Sequence, residues 1–129
     1  MPAIVRLSLP LPPKILHPNH KPRSMGGIFA QGSAFKKYKA RARVEAMAIR
    51  LQNPREDFPW RRATTRARFF FKAPNNRDGD NLAAWLKAAW DGIAAGGIVV
   101  NDSGLTHLPP TQSIDKDYPR VELDVKETP

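Results

Sequence analysis

NNRDGDNLAAWLKAAWDGIAAGGIVVNDSG, residues Asn75 to Gly104, is the stretch on which the reading of this chain turns. From Asp80 to about Ala95 the spacing predicts a helix. Leu82, Trp85, Leu86, Ala89 and Ile93 fall on one side, and Gly96 and Gly97 end it. Asp80, Lys87 and Asp91 lie at offsets of 0, 7 and 11, within about 40° of one another on the opposite side. Asp78 stands just before the helix. GGIVVND then reads as a short β segment that brings Asp102 back at its end. A strand end beside a helix start is a natural meeting place for side chains from distant positions.

Outward from this segment the chain alternates between elements. AIVRLSL (Ala3 to Leu9) alternates apolar and polar residues as a strand does. Residues 10–32 form a Pro-rich basic loop, because the prolines forbid regular structure. GSAFKKYKARARVEAMAIRLQ reads as a helix with Ser33 as its N-cap. Phe35, Tyr38, Ala42, Ala46 and Ile49 make its buried stripe, and Lys36, Arg43 and Arg50 stand seven apart on another face. TTRARFFFKA is a second strand leading into the acidic segment. PRVELDVKE is a last one, with Val121, Leu123 and Val125 on one side. The expected fold is a single α+β domain over 1–129, a small mixed β-sheet with two main helices packed on it.

Charge is divided unevenly. The chain carries a formal net charge of +9 over 129 residues. Residues 1–77 hold 17 Lys and Arg against 3 Asp and Glu, and residues 78–129 hold 4 against 9. A basic half suits a polyanion, since Lys and Arg release condensed counterions when they neutralise phosphates. Lys14, Lys21, Arg23, Lys36, Arg43, Arg50 and Arg77 are the candidate DNA-binding residues. With no cysteine, a disulfide framework and a thiolate metal site are excluded. No apolar run is long enough to span a bilayer, and the first residues lack a signal-peptide pattern. The expected setting is the cytoplasm, with no membrane partner.

Carboxylates without Cys suit a hard cation, Mg²⁺ with Mn²⁺ as a substitute. Such an ion polarises a phosphoryl oxygen and lowers the pKa of bound water. D-x-D alone is weak evidence, because Asp80 near a helix N-terminus is favoured by the dipole in any case. The whole constellation in residues 78–102 is more specific: D-x-D-N, an apolar helix carrying Lys and Asp, then an apolar run closed by N-D-S. His17 and His20 are read as solvated or phosphate-contacting, and His107 as structural. Phe69 to Phe71 and Trp85 are assigned to the core, and Trp90 to its edge as a rim or dimer contact.

RDGDN, LKAAWDGI and GGIVVNDSG together resemble the RusA family of Holliday-junction resolvases, carried mainly by phages and prophages. LSLPLPP is similar to that family's first strand and Pro-rich turn, GSAFKKYKARA to its first helix and RVELDV to its last strand. The resemblance covers nearly the whole chain. It implies a RusA-like homodimer that resolves four-way DNA junctions with Mg²⁺ in a bacterial or phage-infected cell, in recombination and repair. It also implies catalytic roles for Asp78, Asp80, Lys87 and Asp102. The implied metal ligands are Asp78, Asp80 and Asp102, with Asp91 as a further candidate. The interval from Asp80 to Lys87 is three residues longer than the family's, and Asn101 stands where the family often has an acid. The runner-up is a basic nucleic-acid-binding protein of the same fold without cleavage. A D-x-D phosphatase or glycosyltransferase ranks last, because APNNR separates the motif from its strand.

Overall fold

Residues 3–74 and 79–129 are described by the computed structural model, with Asp80 described by its main chain alone. Arg77 and Asp78 lie outside the described residues. The element order is β1 (Ile4–Leu9), a 3-10 turn (Lys14–Leu16), α1 (Met25–Gln52), β2 (Ala63–Phe71), α2 (Gly79–Trp85), α3 (Lys87–Ala95), a second 3-10 turn (Asp102–Gly104), β3 (Leu105–His107), β4 (Thr111–Ile114) and β5 (Arg120–Glu127). The result is a mixed α+β fold with a five-stranded sheet. β5 lies between β1 and β2 and is antiparallel to both. β3 and β4 share the far edge of β2, β3 along Ala63–Thr65 and β4 along Arg68–Phe71, both parallel to it.

Period-two alternation gives the sheet two unlike faces. Val5, Leu7 and Leu9 of β1, Ala63, Ala67, Phe69 and Phe71 of β2, and Val121, Leu123 and Val125 of β5 are all buried beneath the helices. Burying one such aliphatic or aromatic side chain contributes about 1.5–3 kcal/mol. The alternate residues Arg6, Arg66, Arg68, Arg120, Glu122 and Asp124 lie on the open face. Phe69, Phe71 and Trp85 are core residues, as expected, and the Phe69 and Trp85 rings stack with centroids 6.1 Å apart, whereas Phe70, also assigned to the core, falls on the open face with the Arg120 guanidinium 3.9 Å from its ring. Trp90 is only 6% exposed and therefore belongs to the core rather than to a rim.

α1 begins eight residues before Ser33. Ser24 is its N-cap, accepting the Gly27 N–H at 3.1 Å. Gly26, Gly27 and Gly32 disfavour helix, but the cap satisfies one orphan donor. Gln31 Nε2 also donates to Ile15 O at 2.9 Å, tying the first turns to the preceding segment. The Pro-rich loop thus gives up residues 25–32 to α1 and folds Lys14–Leu16 into a turn. The buried stripe of α1 is as expected. Tyr38, Ala42 and Ala46 are buried, and Phe35 and Ile49 pack partly buried against the core.

The helix expected over 80–95 is interrupted at Leu86. That residue has φ −94° and ψ 8° and caps α3. Trp85 and Leu86, at the break, are both buried. GGIVVND is not a strand. Ile98 and Val99 are buried, but the segment's β pairing is one bridge, between Val99 and Trp60. Among the described residues no helix is long and apolar enough to cross a membrane.

Candidate acid–lysine site and basic surface

Lys87 is the first residue of α3, and Asp91 follows one turn later on the same face. Lys87 Nζ donates to Asp91 Oδ1 at 3.0 Å. Asp102 arrives by a longer route. α3 ends at Gly96, and Gly97 reverses the chain with φ +88°, a conformation that favours glycine. Buried Ile98 and Val99 then pin the returning segment. Asn101 caps the second 3-10 turn, its side chain accepting the Ser103 N–H at 3.0 Å. Asn101 is therefore a cap, a role its amide fills without added charge. The turn sets Asp102 Oδ2 at 2.6 Å from Lys87 Nζ.

One exposed ammonium thus bridges two carboxylates from separate segments. The hydrogen bond from Lys87 holds the Asp102 carboxyl below its usual range, and the bonds to Asp102 and then Asp91 hold the lysine above its own. The Lys87 side chain is 61% exposed against 24% for Asp91 and 35% for Asp102, so the cluster opens outward.

Asp78 and the Asp80 side chain lie outside the described residues. The main chain of Asp80 is in the first turn of α2. The interruption at Leu86 removes the single continuous helix that had aligned Asp80 with Lys87. Lys87 and Asp91 keep their shared face, because both belong to α3. Among the described residues no group of three or more His, Cys, Asp and Glu is gathered to hold a metal ion. Asp91 and Asp102 give hard oxygen donors at one point, the donor type that Mg²⁺ takes. A fuller ligand set requires Asp78 and Asp80.

No protein-family model matches this chain, and no curated protein does.

His107, read from the sequence as structural, is a neighbour of the cluster with packing partners of its own. His107 on β3 pairs in register with Thr65 on β2. Thr65 Oγ1 and His107 Nδ1 share a hydrogen bond of 2.6 Å, and the imidazole lies 4.8 Å from the Trp90 ring. Burial lowers the His107 pKa, with opposing influences from Asp102 and Lys87. The available signal was Thr65, a polar residue on the otherwise apolar buried face of β2. His17 accepts the Asn19 N–H at 3.1 Å and meets the Trp85 ring edge-on at 5.5 Å, so it is partly a packing residue.

Lys14, Lys21, Arg23, Lys36, Arg43 and Arg50 are all exposed. Lys36, Arg43 and Arg50 follow one line along α1. Arg50 also lies against the turn after α3, where a Cβ on Gly97 would come 2.4 Å from its Nη1.

Proposed function

We propose that this chain is a Mg²⁺-dependent, structure-selective endonuclease of the RusA type. Its reaction is hydrolysis of phosphodiester bonds in opposing strands of a four-way DNA junction. The observation that carries the reading is the cluster at Lys87. Two carboxylates, Asp91 of α3 and Asp102 of the turn that follows it, meet one exposed lysine, and the sequence just before that lysine carries Asp78 and Asp80. The formal +14 of residues 1–77 supports a polyanionic substrate.

In this proposal Asp78, Asp80 and Asp102 would hold the ion, with Asp91 a further ligand. Bound there, the ion would supply Lewis-acid stabilisation of the phosphoryl oxygens and a more acidic water. Lys87 redirects its ammonium from the carboxylates to the scissile phosphate, where it stabilises charge developing during attack. Water adds across one P–O bond and leaves a nick. Lys36, Arg43, Arg50, Lys14, Lys21, Arg23 and Arg77 hold the DNA backbone. Two cuts need two sites, which a two-fold homodimer provides. The expected setting is the cytoplasm of a bacterial or phage-infected cell.

A second reading, junction binding without cleavage, is favoured by one observation: Lys87 already serves as counter-ion to Asp91 and Asp102. Incubation with an end-labelled synthetic four-way junction, with and without Mg²⁺ or Mn²⁺, decides between the two. Symmetric metal-dependent nicks support the nuclease. Retardation of an intact junction supports the binding protein.

A further inference from the structure

We propose that the groove between the Pro10–Pro13 segment and α1 is a cleft for single-stranded nucleic acid, separate from the acid–lysine cluster. The choice of a nucleic-acid polyanion rests on the functional reading above. The groove itself is an observation of the fold.

The groove has a volume of about 500 Å³. Pro10 and Pro13 form one wall. Ala30, Ala34 and Tyr38, spaced i, i+4 and i+8 on α1, form an apolar floor. Ser33, Lys37 and Arg41 repeat the same spacing on the adjacent line and form a polar, basic rim. The two lines run side by side, one apolar and one cationic. Members of each recur every four residues, about 6 Å along the axis. A single strand has the same division, with a row of phosphates beside a row of flat bases. A duplex keeps its bases stacked inward and cannot present them to the apolar line.

The walls are built before any ligand arrives. Tyr38 Oη donates to Pro10 O at 2.6 Å, and Trp85 Nε1 donates to Pro13 O at 2.9 Å. Two buried aromatic residues thus hold the two proline carbonyls. The proline rings carry no N–H and leave an apolar wall. Burial raises the Tyr38 pKa, which keeps its proton as donor to Pro10. Arg41 Nε is 3.2 Å from Glu45 Oε1 in an exposed pair, which leaves its terminal nitrogens for phosphate. Lys37 is exposed. None of these rim residues belongs to the Lys36, Arg43 and Arg50 line.

The test titrates the full chain with fluorescein-labelled oligothymidylate and with a duplex of equal length, by anisotropy at several salt concentrations and without divalent metal. For Lys37→Gln/Arg41→Gln the log–log salt slope for the single strand should fall by about 1.4, at roughly 0.7 per lost phosphate contact. Ala30→Phe fills the groove from an exposed position without altering charge. It should weaken strand binding roughly tenfold through lost base contacts and leave duplex binding as in the wild type. Ser33→Phe serves in its place if thermal melting shows Ala30→Phe misfolded. Wild-type strand affinity in the filled variant overturns the cleft. So does displacement of the strand by polyglutamate as readily as by unlabelled oligothymidylate. Junction cutting is assayed separately with Mg²⁺. Cutting that persists while filling leaves strand affinity unchanged removes the cleft alone. Groove-dependent strand binding in a chain that never cuts removes the nuclease reading alone.

Discussion

Two groups of ion pairs in this molecule are built to opposite rules. On the open face of the sheet, Arg6, Arg68 and Arg120 interleave with Asp115, Glu122 and Asp124. The contacts run from Arg6 to Asp124 at 2.7 Å, Arg68 to Asp124 at 3.1 Å and Glu122 at 3.6 Å, and Arg120 to Glu122 at 3.2 Å and Asp115 at 2.8 Å. Strand register sets this ladder, since Arg6 opposes Asp124 and Arg68 opposes Glu122. Its six members cancel in charge. At the rim of the helix layer, Lys87 faces Asp91 and Asp102 and leaves one negative charge over. Cross-strand opposite charges stabilise a sheet. An uncompensated exposed cluster contributes little to stability and keeps a field for something outside the chain. Under the nuclease reading, compensation separates scaffold charge from working charge, although both groups are salt bridges by distance.

The sharpest way to break that contrast is Asp102→Asn. Under the nuclease reading, single-turnover junction cutting should fall by roughly 10²–10³-fold, the size of losing a key electrostatic group. Urea unfolding should move by less than about 0.5 kcal/mol. Cutting at the wild-type rate would remove Asp102 from the chemistry. Next in size, Lys36→Gln/Arg43→Gln/Arg50→Gln should reduce the log–log salt slope of duplex binding by about 2.7, at roughly 0.9 per phosphate. An unchanged slope would return that line to a merely solvated surface.

Arg68→Met probes the other side of the contrast. It should destabilise the fold by about 1 kcal/mol, by leaving Glu122 and Asp124 underpaired, while cutting proceeds at the wild-type rate. The loss is tempered because Arg68 Nε is buried without a partner among the described residues. A cutting defect equal to that of Asp102→Asn would erase the distinction between the two groups. The smallest effect is one of pH. The Arg120 hydrogen bond holds the Asp115 carboxyl below its ordinary value. Its stabilisation is therefore full above the unfolded value of about 3.9 and is lost as pH falls through the lower folded value. The stability difference between wild type and Asp115→Asn, from urea melts, should be constant near neutral pH and vanish on acidification.

Strands with strict alternation were legible in the sequence. The apolar series Val121, Leu123 and Val125, and Val5, Leu7 and Leu9, lie buried where the pattern placed them. β3 and β4 were not legible, because LTH and TQSI are short, mostly exposed edge strands with no apolar period. The first two turns of α1 were hidden by glycines whose propensity cost is offset by the Ser24 cap. The interruption at Leu86 was not legible, because no Gly or Pro marks it. The meeting of Lys87, Asp91 and Asp102 was half legible. The Lys87–Asp91 pair follows from helical spacing alone. The approach of Asp102 depends on the Gly97 reversal and on Val99 bridging to Trp60, contacts that local pattern does not encode.

Gly92 and Gly96 sit where α3 crosses α1. A Cβ on Gly92 would lie 2.3 Å from Lys39 O, and one on Gly96 would lie 2.5 Å from Ala46 Cβ and 2.8 Å from Arg43 O. The crossing is therefore a hard stop of main chain on main chain, with no rotamers to cushion it. Arg43 lends its backbone to that stop while its side chain stays exposed, and Asp91 is the residue just before Gly92. The fold thereby acts as a gauge block. The gap between the cationic line of α1 and the Asp91 carboxylate of α3 is cut to length by two missing methyl groups, and no side-chain adjustment elsewhere can reset it.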